Sequence, residues 1–164
     1  MFITLDPSST VIGYSIWDEH NKEYVPIECG LITPFKSRLD VIERVRQLTH
    51  QVSRLVEEYE DELEFVVIEV PFSQQHSPAS RHTSLPVWSF AAGTIYGLLL
   101  AKGIEVKEVD NQKWTKRISK EKRKEKAKLL FKNIYTPTQD RGGDAADALL
   151  LGLWILEQEY QSAQ

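Results

Sequence analysis

At 164 residues, with 41% hydrophobic and 27% charged residues, the chain has the composition of one soluble globular domain and the length to bury a real core. Its single cysteine, Cys29, excludes an internal disulfide and fits a reducing compartment, and no cleaved secretory signal is expected from the N-terminal residues. The net charge of −4 is unevenly spread: Lys113 to Lys132 holds ten Lys or Arg against two acids, Glu121 and Glu125, so this strip is +8 and the remainder −12.

Residues 2–6 (Phe-Ile-Thr-Leu-Asp) predict a first strand and residues 11–18 a second, with Pro7-Ser8-Ser9-Thr10 as the turn between them. A polar turn from Asp18 to Lys22 leads into a third strand over 23–32, and the three together predict an antiparallel meander. Val41, Ile42, Val45, Leu48, Val52, Leu55 and Val56 share one face of an amphipathic helix, with Ser37 as its N-cap and its end near Tyr59. Residues 63–70 are apolar on successive positions, as in a strand covered on both faces, and Pro71 bounds it.

Residues 71–84, rich in Ser, Gln, His and Pro, read as a loop. A helix over 85–102 follows, with Pro86 in its first turn and Gly103 at its C-cap. Its near-apolar run, Trp88 to Ala101, is too short to span a bilayer and predicts a buried helix. Gly93 and Gly97 suit close helix packing, either inside the core or across a dimer seam. Residues 104–109 alternate like a strand. The basic segment from Ser119 to Lys132 predicts a helix that turns Ala127, Leu130 and Phe131 inward, and a last helix runs from Asp144 to about Tyr160. With no internal repeat and no linker, residues 1–164 read as a single domain.

The order β-β-β-α-β-α-β-α-α predicts an α/β fold: a five-stranded mixed sheet, order 3-2-1-4-5, flanked by helices. Asp6 and Glu69 then close adjacent strands at their C-terminal ends, the edge where open α/β sheets place ligand sites. Asp144 and Asp147, three apart, share a face of the last helix, whose start lies near that edge. Four clustered carboxylates are hard oxygen ligands suited to Mg²⁺ or Mn²⁺, two ions per site, and to phosphodiester hydrolysis. Zinc is not expected, because His20, His50, His76 and His82 share no ligand spacing. The basic strip supplies candidate DNA contacts in Lys113, Lys116, Arg117, Lys120, Lys122, Arg123, Lys124 and Lys126.

Asp6-Pro7-Ser8-Ser9-Thr10-Val11-Ile12-Gly13-Tyr14, the strand ending Ile68-Glu69, and Asp144-Ala145-Ala146-Asp147-Ala148-Leu149 together resemble the three metal-binding motifs of the RuvC-type Holliday junction resolvases, within the RNase H-like superfamily. The resemblance spans nearly the whole chain. It implies a homodimer that binds four-way DNA junctions and nicks two strands symmetrically with Mg²⁺ or Mn²⁺ on Asp6, Glu69, Asp144 and Asp147. It implies that Phe72 stacks on an unpaired base, and that Lys116 and one of Lys122, Lys124 or Lys126 touch phosphate or assist the chemistry. Ser8 stands where cellular resolvases usually have Gly, and the basic run is unusually dense, which points to a divergent member such as a phage or organellar resolvase. No membrane association is expected, and the compartment is the cytoplasm or another reducing space that holds DNA.

Blander readings exist for most of these residues, though not readily for Glu69, since an acid that ends an apolar strand is costly unless solvated, paired or metal-bound. Asp6 suits a turn before Pro7, and Asp144 suits an N-cap after Gly142-Gly143 with Asp147 favouring the helix dipole. Phe72 suits a hydrophobic plug, and His76, Arg81 and His82 suit an ordinary polar surface. Only the coincidence of Asp6, Glu69, Asp144 and Asp147 in one place favours chemistry, since like charges so close need a cation or a proton. Alternatives to junction resolution are an RNase H-like nuclease of other branched DNA or RNA–DNA hybrids, and a non-catalytic junction-binding protein.

Overall fold

The computed structural model describes residues 1–36, 38–71, 84–116 and 118–162. Phe72, His76, Arg81 and His82 lie outside the described residues, as do Ser37 and Arg117 and residues 72–83 of the loop reading. Strands β1 (Phe2–Pro7), β2 (Ile12–His20), β3 (Glu23–Ile32), β4 (Phe65–Val70) and β5 (Glu105–Asp110) form one sheet in the order β3-β2-β1-β4-β5. The first three pair antiparallel, whereas β4 runs parallel to β1 and β5 parallel to β4. This is the mixed sheet and the strand order that the sequence predicts.

Helices α1 (Val41–Glu58) and α2 (Ser84–Ala101) pack against each other, and α5 (Asp144–Ser162) packs across β1, β2 and β3. Two core clusters result. Ile3, Leu5, Val66, Ile68 and Val70 join the α1 side chains Leu48, Val52 and Val56. Phe2, Phe65, Val67 and Val109 join Leu149, Leu150 and Leu151 of α5. The two-residue period of a strand therefore aims Phe2-Thr4-Asp6 and Phe65-Val67-Glu69 at one face of the sheet, the face of α5.

Several local predictions are corrected. The turn predicted over Asp18–Lys22 shrinks to Asn21 and Lys22, whose φ values of 54° and 68° form a two-residue hairpin and let β2 run on to His20. Asp40, not Ser37, caps α1: its side chain accepts from the Glu43 amide at 2.9 Å. Ile42, placed by spacing on the buried face, is 71% exposed. Leu130, predicted to pack inward, ends α4 (Lys120–Leu130) half in solvent, while Ala127 is buried as predicted. Helix α3 (Asn111–Thr115) carries no sequence signal of its own: five residues are too few for an amphipathic period.

Helix α2 differs most from expectation. It is apolar all round but buried on one face only: Ala91, Ala92, Ile95 and Leu99 lie in the core, whereas Phe90 is 46% and Leu100 51% exposed, and a Cβ built on Gly93 or Gly97 would meet nothing within 4 Å. Gly103, with φ 74°, ends the helix as predicted, its amide and that of Ile104 turning back to Leu100 and Leu99. No helix among the described residues is long and apolar enough to cross a membrane.

Candidate active site

Asp6 and Glu69 stand side by side because β1 and β4 are parallel and in register, Leu5 opposite Ile68. Across the other edge of β1, Asp6 pairs with Gly13, and there only glycine fits: a Cβ on Gly13 would collide with the Asp144 carbonyl. The absent side chain lets the first turn of α5 descend onto the sheet. A hydroxyl network then fixes the helix along the strands. Thr4 Oγ1 donates to the Ala148 carbonyl at 2.7 Å, Ser15 Oγ reaches the same oxygen at 3.2 Å, and Trp17 Nε1 donates to Ser15 Oγ at 2.8 Å. Buried polar groups bonded in this way resist sliding, because any shift leaves a donor unpaired.

The start of α5 is organised by Asp140, which is 3% exposed. Its Oδ1 accepts from the Asp144 amide at 2.9 Å, and its Oδ2 accepts from the Ala146 amide at 3.0 Å and the Tyr135 hydroxyl at 3.0 Å. Gly143, with φ 81°, makes the turn that brings this carboxylate under the helix. The capping role that the sequence allowed Asp144 belongs to Asp140, so Asp144 and Asp147 are left to project toward Asp6 and Glu69.

The four acids influence one another strongly. Burial, then Glu69 and Asp147, raise the Asp6 carboxyl well above the usual aspartate range, Lys120 opposes this, and Asp144 adds to it. Some of Asp6 still meets solvent, yet protein surrounds its charge. Burial raises the Glu69 carboxyl to about 7, hydrogen bonds from Asn111 and Trp114 counter it, and Asp147 adds to the rise. Asn111 Nδ2 donates to Glu69 Oε1 at 2.8 Å, and Trp114 Nε1 donates to Oε2 at 2.6 Å.

The two α5 acids have charged partners instead. Arg123 grips Asp147 with both arms of its fork, Nε to Oδ1 at 2.6 Å and Nη2 to Oδ2 at 2.9 Å, while its Nη1 donates to the Ile118 carbonyl. Its guanidinium also lies 5.5 Å from the Trp114 ring centroid. Lys120 Nζ binds Asp144 at 2.7 Å and stands 3.5 Å from Asp147. Burial works against the Lys120 charge, but the bond to Asp144 and the fields of Asp147, Asp144 and Asp6 hold its pKa up. Among the described residues, no three His, Cys, Asp or Glu side chains are drawn close enough to hold an ion as they stand. The donor set is nonetheless the oxygen-only set that Mg²⁺ or Mn²⁺ takes, and its mutual repulsion is relieved by positive charge.

The family model described as crossover junction endodeoxyribonuclease RuvC matches residues 2–154. The chain belongs to that family. No curated protein matches it in sequence. The T. thermophilus RuvC in complex with a Holliday junction substrate is similar to this chain at a TM-score of 0.64 and 15% identity, over 92% of this chain and 90% of the other. The Fowlpox virus resolvase in complex with its substrate Holliday junction DNA gives 0.60 at 16% identity, over 96% of this chain and 99% of the other. These likenesses establish an RNase H-like fold, and the family is one of endonucleases.

Within this RuvC-family chain, the structure gathers Asp6, Glu69, Asp144 and Asp147 with Lys120 and Arg123 at one end of the sheet. Lys116 stands apart from that description: it is exposed at the C-cap of α3, in a left-handed conformation with φ 46°. Lys113, Lys122 and Lys126 are exposed, and Lys124 donates to the Arg141 carbonyl at 3.1 Å. Phe72 and Arg117 lie outside the described residues. Sequence reasoning missed Asn111, Trp114 and Asp140, and took Arg123 only for a DNA contact. The first two lie three apart just past β5, the strand beside Glu69, a pattern too short to announce them.

Proposed function

We propose that residues 1–164 form one nuclease domain that resolves four-way DNA junctions by metal-dependent phosphodiester hydrolysis, with Asp6, Glu69, Asp144 and Asp147 holding Mg²⁺ or Mn²⁺. The observation that carries this reading is the register of β1 and β4, which sets Asp6 beside Glu69 under the two acids of α5. Four mutually repelling carboxylates at a strand-end edge cost stability and make chemical sense as a cation site. When bound, such ions polarise the scissile phosphate and activate water. Asp6 and Glu69 orient what binds between them. Family membership supports the substrate, as do the junction complexes of the T. thermophilus and Fowlpox virus proteins.

The basic strip supplies the DNA hold. Lys113, Lys116, Lys122 and Lys126 face solvent along α3 and α4, so phosphate contact there gives salt-sensitive and largely sequence-independent affinity. A homodimer delivers the paired nicks. Its seam is the exposed stripe Phe90, Gly93, Gly97 and Leu100 on α2, whose helical spacing presents an apolar face with room for a second backbone. The setting is a reducing compartment that holds DNA, consistent with the lone Cys29.

The test is a synthetic mobile junction incubated with Mg²⁺ or Mn²⁺, comparing the native protein with Asp6→Asn and Glu69→Gln and mapping nicks on each strand. Symmetric nicks by the native dimer, and bound but intact junctions with both variants, are expected. Equal cutting of a linear duplex or an RNA–DNA hybrid would redirect the reading to a broader RNase H-like nuclease. Binding with no nick in either metal would leave a junction-binding protein.

A further inference from the structure

Glu69 ends an apolar strand, and such a carboxylate can point its lone pairs in several directions. Two directions are already taken. Both anchors come from the five-residue helix α3, where Asn111 and Trp114 lie three apart and so share one face. The helix is itself secured. Asp110 accepts from the Gln112 amide at 2.9 Å, and Thr115 Oγ1 donates back to the Asn111 carbonyl at 2.8 Å.

We infer that Asn111 and Trp114 are positioning residues for the reaction, fixing the plane of the Glu69 carboxylate so that its outward lone pairs face Asp6 and Asp147. The inference rests on the reading of Glu69 as a ligand. Its basis is that the anchors hold different oxygens. One anchor leaves a carboxylate free to pivot about that bond; two stop rotation of the group. Trp114 cannot be diverted to another task. Its indole has a single donor and no acceptor, the residue is 6% exposed, and it belongs to the core cluster of Val67, Val109 and Leu150. Moving away from Glu69 would strand a buried N–H. Asn111 and Trp114 act through Glu69, and partners of this kind change metal affinity or activity by about 10- to 100-fold when removed.

The experiment is calorimetric titration of MnCl₂ alone into the full chain, native and as Glu69→Gln, Trp114→Phe and Asn111→Ala, with single-turnover junction cleavage across a Mn²⁺ series. Phe keeps the ring and loses only the donor. Both anchor variants are expected to weaken Mn²⁺ binding about 10- to 100-fold, to leave junction affinity within about twofold, and to regain cleavage at high Mn²⁺. A purely structural role would lower the melting temperature and leave the Mn²⁺ affinity unchanged. If Trp114→Phe fails to fold, Asn111→Ala, at a half-buried position, carries the test. The inference is overturned if Glu69→Gln loses Mn²⁺ binding while both anchor variants titrate like the native chain. If Glu69→Gln itself binds Mn²⁺ like the native chain, the assignment of Glu69 fails and this inference falls with it.

Discussion

Glu69 and Asp147 are equally buried, each 3% exposed, yet they are held by opposite kinds of partner. Glu69 receives two neutral N–H donors from α3, whereas Asp147 receives the fork of a guanidinium from α4. A neutral donor orients a carboxylate and leaves its charge in place. A guanidinium orients it and cancels the charge. One half of the cluster is thus a negative group aimed and waiting, and the other half is a negative group already balanced by the helix that carries the basic strip.

The sharpest way to break this contrast is one isosteric change made on each side, with stability measured by denaturant in a chelator. Asp147→Asn strips Arg123, whose side chain is 14% exposed, of its counter-charge. A loss of about 3 kcal/mol is expected, the cost of leaving a mostly buried charge unpaired. Glu69→Gln removes a charge that no cation neutralises by direct contact among the described residues, and the new Gln keeps an oxygen that can accept from Trp114. Stability at pH 8 is expected to hold or rise. Equal losses in both variants would erase the distinction.

The pH dependence follows with a definite sign. Burial raises Glu69 from the ordinary glutamate value of 4.5 to about 7, so across that window the folded protein keeps a proton that the unfolded chain has released. Stability in chelator therefore falls as pH rises from about 4.5 to 7, and the cost is complete above the upper value. Asp6 shifts in the same direction and adds to the fall. The melting temperature of Glu69→Gln is expected to decline less over this range than that of the native chain. Identical declines would contradict the account.

Metal affinity sharpens the comparison at smaller scale. Arg123→Gln frees Asp147 of its positive partner, so Mn²⁺ is expected to bind about tenfold tighter, equivalent to about 1.4 kcal/mol. Loss of the Trp114 donor moves the affinity the other way. Weaker Mn²⁺ binding by Arg123→Gln would mean that the guanidinium supports the cation site instead of competing for it. The smallest effect belongs to the exposed strip. Lys122→Ala and Lys126→Ala should each reduce the salt slope of junction affinity by about 1 and leave cleavage at saturation unchanged.

The frame of this molecule was legible because it rests on long patterns. Apolar runs ending in Asp6 and Glu69, a helix-length stretch between 85 and 102, and connection lengths that demand parallel pairing lead to the sheet order without side-chain detail. The positions of Asp6, Glu69 and Asp144 were legible for the same reason, as each lies at or beside the end of an element, and Asp147 follows Asp144 by three. What resisted was short-range or mutual. Helix α3 is one turn long, so Asn111 and Trp114 have no periodicity to announce them. Arg123 and Lys120 look like any of the ten cations in their strip, and nothing local says that they turn inward onto Asp147 and Asp144. The capping of α5 by Asp140 depends on a left-handed turn at Gly143. The exposed face of α2 shows that apolar composition reports what a helix needs to meet, not whether this chain supplies it.

The union of Thr4, Ser15 and the Ala148 carbonyl has a consequence for failure. Two of the four acids belong to the sheet and two arrive with α5, whose buried leucines hold it to the core while a few hydroxyls, and the close approach that Gly13 allows, set its position along the strands. A molecule whose final helix has peeled away keeps Asp6 and Glu69 but has lost their counterparts. If the four acids share one cation site, as proposed, damage at that seam disarms the nuclease.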